Sequence, residues 1–263
     1  MTDMTAAVPS DWKAMDDFAA GIDANRLPRT EALAGTSLSI AQADGGALYL
    51  DLRTGQEVSW RDGAGRQGTD WYEAVEVRDG VHYLTVTDED RPLRAVVLVI
   101  NRNTGRTLTA ESLIADAPSP GRPRVGQVFT PGVLTGSSPR GAEPAPSRDL
   151  IGLRALYRYS PNHLYEHVYL SSERYAWQCL VGEQRGHGDV DLADTWGLGD
   201  DLYVFTFREF LIPVAATWLY DLRALRTTGT FFGLGADGRA KVAPGGAVIV
   251  PLGRATYPDE QPV

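Results

Sequence analysis

The chain has little of what most often announces a chemistry. It carries one cysteine, Cys179, in 263 residues, which excludes an intrachain disulfide or a thiolate metal cluster and suits a reducing compartment. No basic stripe interrupts a net charge of -9, so nucleic acid and anionic membranes would be repelled and neither is an expected partner. The longest apolar runs, such as residues 95–100, are strand length and far below a membrane span. Residues 1–21 are polar and acidic, without the apolar core of a signal peptide, so a bacterial cytoplasm is the expected location. There is no P-loop, no G-x-S-x-G elbow and no H-E-x-x-H. The glycines of Gly233-Leu-Gly235-Ala-Asp-Gly238 do not follow the strand–turn–helix order of a dinucleotide fingerprint. No cofactor is expected.

What the chain does have is a repeat. Hydrophobic content of 43% and charged content of 22% are ordinary for a folded protein, and the length allows one large domain or two smaller ones. Residues 35–60 align without a gap on 152–177, at a constant offset of 117. Both segments end in an apolar-x-Trp, Val58-Ser-Trp60 and Tyr175-Ala-Trp177. The offset then becomes 120, where His82-Tyr-Leu meets Leu202-Tyr-Val, Asn101 meets Asp221 and Arg106-Thr107 meets Arg226-Thr227. Self-similarity at fixed spacing indicates one structural unit used twice.

The unit reads as β. Strands are expected over 36–41, 47–52, 57–61, 72–78, 81–88, 93–101 and 107–113, and again over 153–160, 165–170, 175–181, 202–208, 214–221 and 227–234. Turn signals such as Asp44-Gly45-Gly46, Asp62-Gly63 and Asp79-Gly80 separate them. The fold class is therefore all-β, a tandem duplicated antiparallel meander; about seven short strands per repeat are enough to close two separate barrels, with one larger barrel as the alternative. Ahead of it, Trp12, Met15, Phe18 and Ile22 recur at helical spacing after a candidate N-cap, Ser10. That short helix is suited to plugging the end of a barrel. The expected segments are 1–34 (helix and lead-in), 35–115 (first repeat), 116–148 (a Pro/Gly-rich linker whose middle adds an edge strand), 149–253 (second repeat) and 254–263 (tail).

The repeats differ where chemistry would sit. Alternate residues share a strand face. In the second repeat one face carries Tyr165, His167 and Tyr169, then Tyr175, Trp177 and Cys179. The first repeat has Leu48, Leu50, Leu52, Val58, Trp60 and Asp62 at those positions. An aromatic wall with a few polar groups is how small-molecule sites usually look, so the second repeat is the expected site. His167 is the candidate proton-transfer group, against the alternative of a satisfied core histidine. Tyr165, Tyr169, Tyr175, Trp177 and Tyr203 would shape the pocket, and Cys179 reads as inert core. His187, Asp189 and Asp191 alternate, which suits either an acidic rim for an amine-bearing ligand or, with His163 or His167, a weak metal set. No metal is expected. Arg208 and Glu209, matched to Asp88 and Glu89, are either a solvated pair or, turned inward, a carboxylate holder and a base.

Tyr165-Glu-His167, Arg174-Tyr-x-Trp-x-Cys-Leu180, Gly188-Asp-x-Asp191 and Leu202-Tyr-x-Phe-x-x-Arg-Glu209 resemble the C-terminal half of the MoaF family, molybdenum cofactor biosynthesis protein F. Residues 12–18 and 58–74 resemble its N-terminal half. The resemblance implies calycin, lipocalin-like barrels. No anion-binding loop or basic pocket suits a phosphorylated pterin.

Three functions stay open. The first is a cofactor-independent cyclase, isomerase, hydratase or decarboxylase, with His167, Tyr165 and Glu209 as its reactive groups. The second is a non-catalytic small-molecule binder or regulator. The third is a maturation partner linked to molybdenum cofactor metabolism. A homodimer is compatible with all three.

Overall fold

The computed structural model describes residues 11–263. The first repeat forms β1 (Thr36–Gln42), β2 (Ala47–Leu52), β3 (Glu57–Asp62), β4 (Gln67–Arg78), β5 (Val81–Thr87), β6 (Arg94–Asn101), β7 (Arg106–Ile114) and β8 (Val125–Leu134). These eight antiparallel strands follow one another around a closed barrel, with β8 pairing back onto β1 through Ile40↔Leu134. Residues 125–134, expected as an edge strand inside a linker, are thus the stave that closes the first barrel. Gly126, Pro131 and Gly132 disguise the strand in the sequence.

A two-residue strand, β9 (Ala145–Pro146), precedes the second repeat. That repeat forms β10 (Leu153–Ser160), β11 (His163–Tyr169), β12 (Arg174–Val181), β13 (Gly188–Gly199), β14 (Leu202–Arg208), β15 (Val214–Asp221), β16 (Arg226–Leu234) and β17 (Ala240–Arg254). Pairing of β12 with β13 and of β10 with β17 closes it, while β9 lies on β13 beyond the end of β12. The molecule is a tandem of two lipocalin-like barrels, as expected.

Register corrects part of the repeat alignment. Val81 pairs with Asn101 as Leu202 pairs with Asp221. Leu202 therefore corresponds to Val81, not His82, and Glu209 to Asp88, not Glu89. The offset is 121 through β4 and β5 and returns to 120 in β6. One residue matters here, because a slip of one turns every side chain to the other face.

Each barrel encloses its own core. Leu50, Leu52, Val58, Tyr72, Leu84 and Leu98 fill the first, and aromatic rings fill the second. Corresponding residues Leu33 and Leu150 seal one end of each. Outward-facing Tyr83, Val97 and Leu108 pack against Leu202, Val204 and Leu219 and join the barrels. Across that interface Tyr83 donates to the Thr217 carbonyl at 2.8 Å, and Arg78 donates to both Asp221 oxygens at 3.0 and 2.6 Å.

The N-terminal helix is a single turn, α1 (Met15–Phe18), with Ala14 at its N-cap and no side-chain cap. Ser10 lies outside the described residues. Met15, Phe18 and Ile22 are buried in the core of the second barrel. The expected plug is therefore present, built from one turn and the loop after it, and the Lys241–Asp16 ion pair at 2.6 Å ties it down.

Candidate functional site

Hairpins bring the aromatic face together. Tyr165 lies opposite Cys179, His167 opposite Trp177 and Tyr169 opposite Tyr175. From β10, Tyr157 and Tyr159 point to the same interior, and Phe205 and Phe207 join them from β14. His167 stacks on Tyr157 at 4.2 Å between centroids and meets Tyr175 edge-on at 5.2 Å. Tyr157, Tyr169 and Tyr220 form a chain of hydroxyls, 2.5 Å between the first two and 2.8 Å between the last two. Burial in this apolar surrounding pushes the Tyr157 phenol up to about 12 and raises Tyr169 and Tyr220 as well.

A cavity of about 30 Å³ lies among Tyr165, His167, Tyr175, Trp177 and Glu209, under Phe18 and Ile22. Three polar atoms of its lining are buried with no protein partner: His167 Nδ1, Gln184 Nε2 and Glu209 Oε2. Burial alone lowers His167 to about 3, so its imidazole is neutral at physiological pH. Burial first, then the charges of Asp191 and Asp189, hold Glu209 well above the usual carboxylate range. The Tyr165 hydroxyl donates to Gln184 Oε1 at 3.0 Å. The lining thus combines a neutral imidazole, a carboxyl that holds its proton to unusually high pH and a positioned phenol.

The first repeat shows why Glu209 is unusual. Its counterpart Asp88 is also buried, but Asp88 accepts from Arg91 and Arg94 at 2.9 and 3.0 Å. The segment after Glu209 reads Phe210-Leu-Ile-Pro213 and supplies no arginine. Asp191 behaves oppositely. Its Oδ2 accepts from Trp177 Nε1 at 2.9 Å and its Oδ1 from the Phe210 N–H at 3.3 Å. In the first repeat Asp70 makes the same bonds with Trp60 and the Glu89 N–H. A contact kept in both halves belongs to the fold, although burial raises Asp191 to about 7.

Several candidates lie elsewhere. Arg208 points away from the interior, bonding Asp194 and Gln127 at the barrel–barrel interface. Its neighbour Glu209 points inward, because successive strand residues alternate. Tyr203 lies at the far end of the barrel and donates to Asp149 at 3.1 Å. Tyr169 sits behind His167 in the hydroxyl chain rather than at the cavity. His187 stacks on Trp12 at 5.1 Å and contacts Asp11 at 3.2 Å, above Trp177. Asp189 and Asp191 share one strand face but do not line the cavity. Among the described residues no group of three His, Cys, Asp or Glu is placed to hold a metal ion. Sequence reasoning missed Gln184, which sits in a loop without a periodic signal. It also missed Tyr157 and Tyr159, whose alternation in Tyr157-Arg-Tyr159 was readable.

Two closed eight-stranded barrels, one with an aromatic interior holding unpaired polar atoms, define a lipocalin-like fold. Residues 10–116 match the MoaF N-terminal domain and residues 144–255 the MoaF C-terminal domain. Protein MoaF of Klebsiella aerogenes is 32% identical over 220 residues, covering 80% of this chain and 81% of that protein. The chain belongs to the MoaF family. The closing strand of the first barrel, Val125–Leu134, falls between the two matched segments. No helix among the described residues is long and apolar enough to cross a membrane.

Proposed function

We propose that the second barrel is the active site of an enzyme that moves a proton on a small, uncharged molecule, an isomerase or lyase in type. Phe18 and Ile22 move aside to admit it, because the closed cavity of about 30 Å³ has room for little more than a water. The observation that carries this reading is Glu209: an inward carboxyl, stripped of the arginines that neutralise Asp88, facing an unpartnered neutral imidazole across one cavity. A protonated carboxyl can donate and a neutral imidazole can accept, and pairs of groups held in opposite protonation states are how acid–base roles are divided. Tyr165 would orient an oxygen of the substrate, and the aromatic walls would exclude water. A charged substrate is disfavoured, because the lining holds no arginine or lysine to meet an anion and burial favours the uncharged forms of His167 and Glu209. Family membership supports a link to molybdenum cofactor biosynthesis, and the step served there is a small-molecule conversion.

The tight cavity and its roof favour one further reading, in which the barrel sequesters such a molecule without converting it. Incubation with a fractionated bacterial metabolite extract, followed by mass spectrometry, separates the two. Glu209→Gln and His167→Phe should each abolish consumption of any compound that the wild type consumes. Consumption that persists in both variants refutes the catalytic assignment, and retention without consumption supports the binder.

A further inference from the structure

The first barrel holds a cavity at the place that corresponds to the site of the second. Leu48, Leu50, Trp60, Val86 and Glu111 line a space of about 270 Å³. Their counterparts Tyr165, His167, Trp177, Phe207 and Phe231 line or border the 30 Å³ cavity of the second barrel. One cause of the difference is a coupled set of replacements. Leu98, Thr109 and Thr130 of the first barrel correspond to Trp218, Gly229 and Gly245. A Cβ at Gly229 would lie 2.2 Å from the Trp218 ring, and one at Gly245 would lie 3.0 Å from it. The indole therefore occupies space that the first barrel leaves to its cavity. The roof is the other cause, since Phe18 and Ile22 cover the second barrel and belong to its core alone. Leu48 and Trp60 face inward yet are only half-buried, which marks the open mouth of the first.

Two lining polar atoms are buried without a partner, Thr109 Oγ1 and Arg94 Nε, and Thr109 itself is 8% exposed. A buried unpaired donor is costly, so such atoms point to a ligand group that meets them. The mouth charges are already matched. Arg66 pairs with Asp62 at 2.6 Å, and Arg94 pairs with Asp88 at 3.0 Å and also with Glu111. An anion would have to break these pairs beside Asp44, which also lines the cavity.

We propose that the first barrel is a second, independent small-molecule site, which takes a neutral amphipathic molecule. Its apolar body lies on Leu48, Leu50, Val86, Val96 and Leu98 and against Trp60, and a carbonyl or hydroxyl oxygen accepts from Thr109 and Arg94. The first half of the duplication is then not scaffold but a receptor with different selectivity.

The test uses the full chain and two fluorescent probes with the same rings: neutral N-phenyl-1-naphthylamine and its anionic relative 1-anilinonaphthalene-8-sulfonate. Val86→Phe and Leu48→Tyr each install the ring that the second repeat carries at that position. The neutral probe should bind saturably to the wild type. Each filling variant should weaken that binding about tenfold or more, the cost of overpacking a filled site, and the sulfonate should bind about tenfold more weakly than the neutral probe. Circular dichroism identifies which variant folds, and either one suffices. Absence of saturable binding, unchanged binding in a folded filling variant, or equal affinity for the sulfonate would overturn the proposal.

Discussion

Replacing Glu209 with glutamine should make the protein more stable, and increasingly so as pH rises. In the unfolded chain this carboxyl titrates near 4.5, whereas in the fold burial and two neighbouring aspartates hold its proton to much higher pH. Between those limits the native state binds one more proton than the unfolded state. Wild-type stability therefore falls with rising pH, by about 1.4 kcal/mol per pH unit for one such group. The loss continues until the folded carboxyl itself ionises. A glutamine side chain has the same shape and cannot ionise, so this slope disappears. Asp191 titrates in both proteins and largely cancels in the difference. Urea unfolding followed by tryptophan fluorescence, at a series of pH values above 4.5, measures that difference directly. Parallel curves for the two proteins, or a wild type that gains on the variant with rising pH, would show that the fold does not hold the Glu209 proton.

Other outcomes follow from the same packing. His167 is held neutral down to about 3, while the unfolded imidazole charges near 6.5. Its contribution therefore weakens as pH falls below 6.5, by about 2 kcal/mol at one and a half units lower. His167→Phe should melt relatively higher than wild type near pH 5 than near pH 7.5, and an equal offset at both would contradict the burial argument. Gly229→Ala drives a methyl into the Trp218 ring at 2.2 Å and the Thr217 carbonyl at 2.5 Å. It should cost about 3 kcal/mol or prevent folding, whereas a melting temperature within a degree or two of wild type would show that the indole can move aside. Arg78→Ala leaves Asp221 buried, with only the Arg223 and Ala224 N–H groups as donors. A loss of about 1–3 kcal/mol in chemical unfolding is expected, and no loss would mean that the apolar interface holds the barrels unaided.

The aromatic face of the second barrel was legible because a strand's period of two needs only a correct hairpin register, which the turn residues supply. His167, Tyr165, Tyr175 and Trp177 were placed together on that basis. Arg208 and Glu209 were not separable until the register was known, since the repeat offset was one residue short in that strand. The strands β13 and β17 escaped notice, and β8 read only as an edge strand within a linker, for a tertiary reason. Their glycines and prolines weaken the local signal, yet Gly245 in β17 is the residue that makes room for Trp218. The stranded state of Glu209 was equally hidden, because it depends on which residues fail to arrive after the strand. The larger cavity of the first barrel could not be read from its Leu/Val face, which looks alike whether filled or open.

In the proposed function Glu209 and His167 face one bound molecule inside the second barrel. Crystals grown after exposure to a bacterial metabolite extract test it most directly, through difference density in that cavity. Density is expected within hydrogen-bonding distance of Glu209 Oε2 and the His167 ring, with Phe18 and Ile22 still closed over it or swung aside to admit it. Density confined to other parts of the molecule, for a compound whose consumption survives Glu209→Gln, would contradict it.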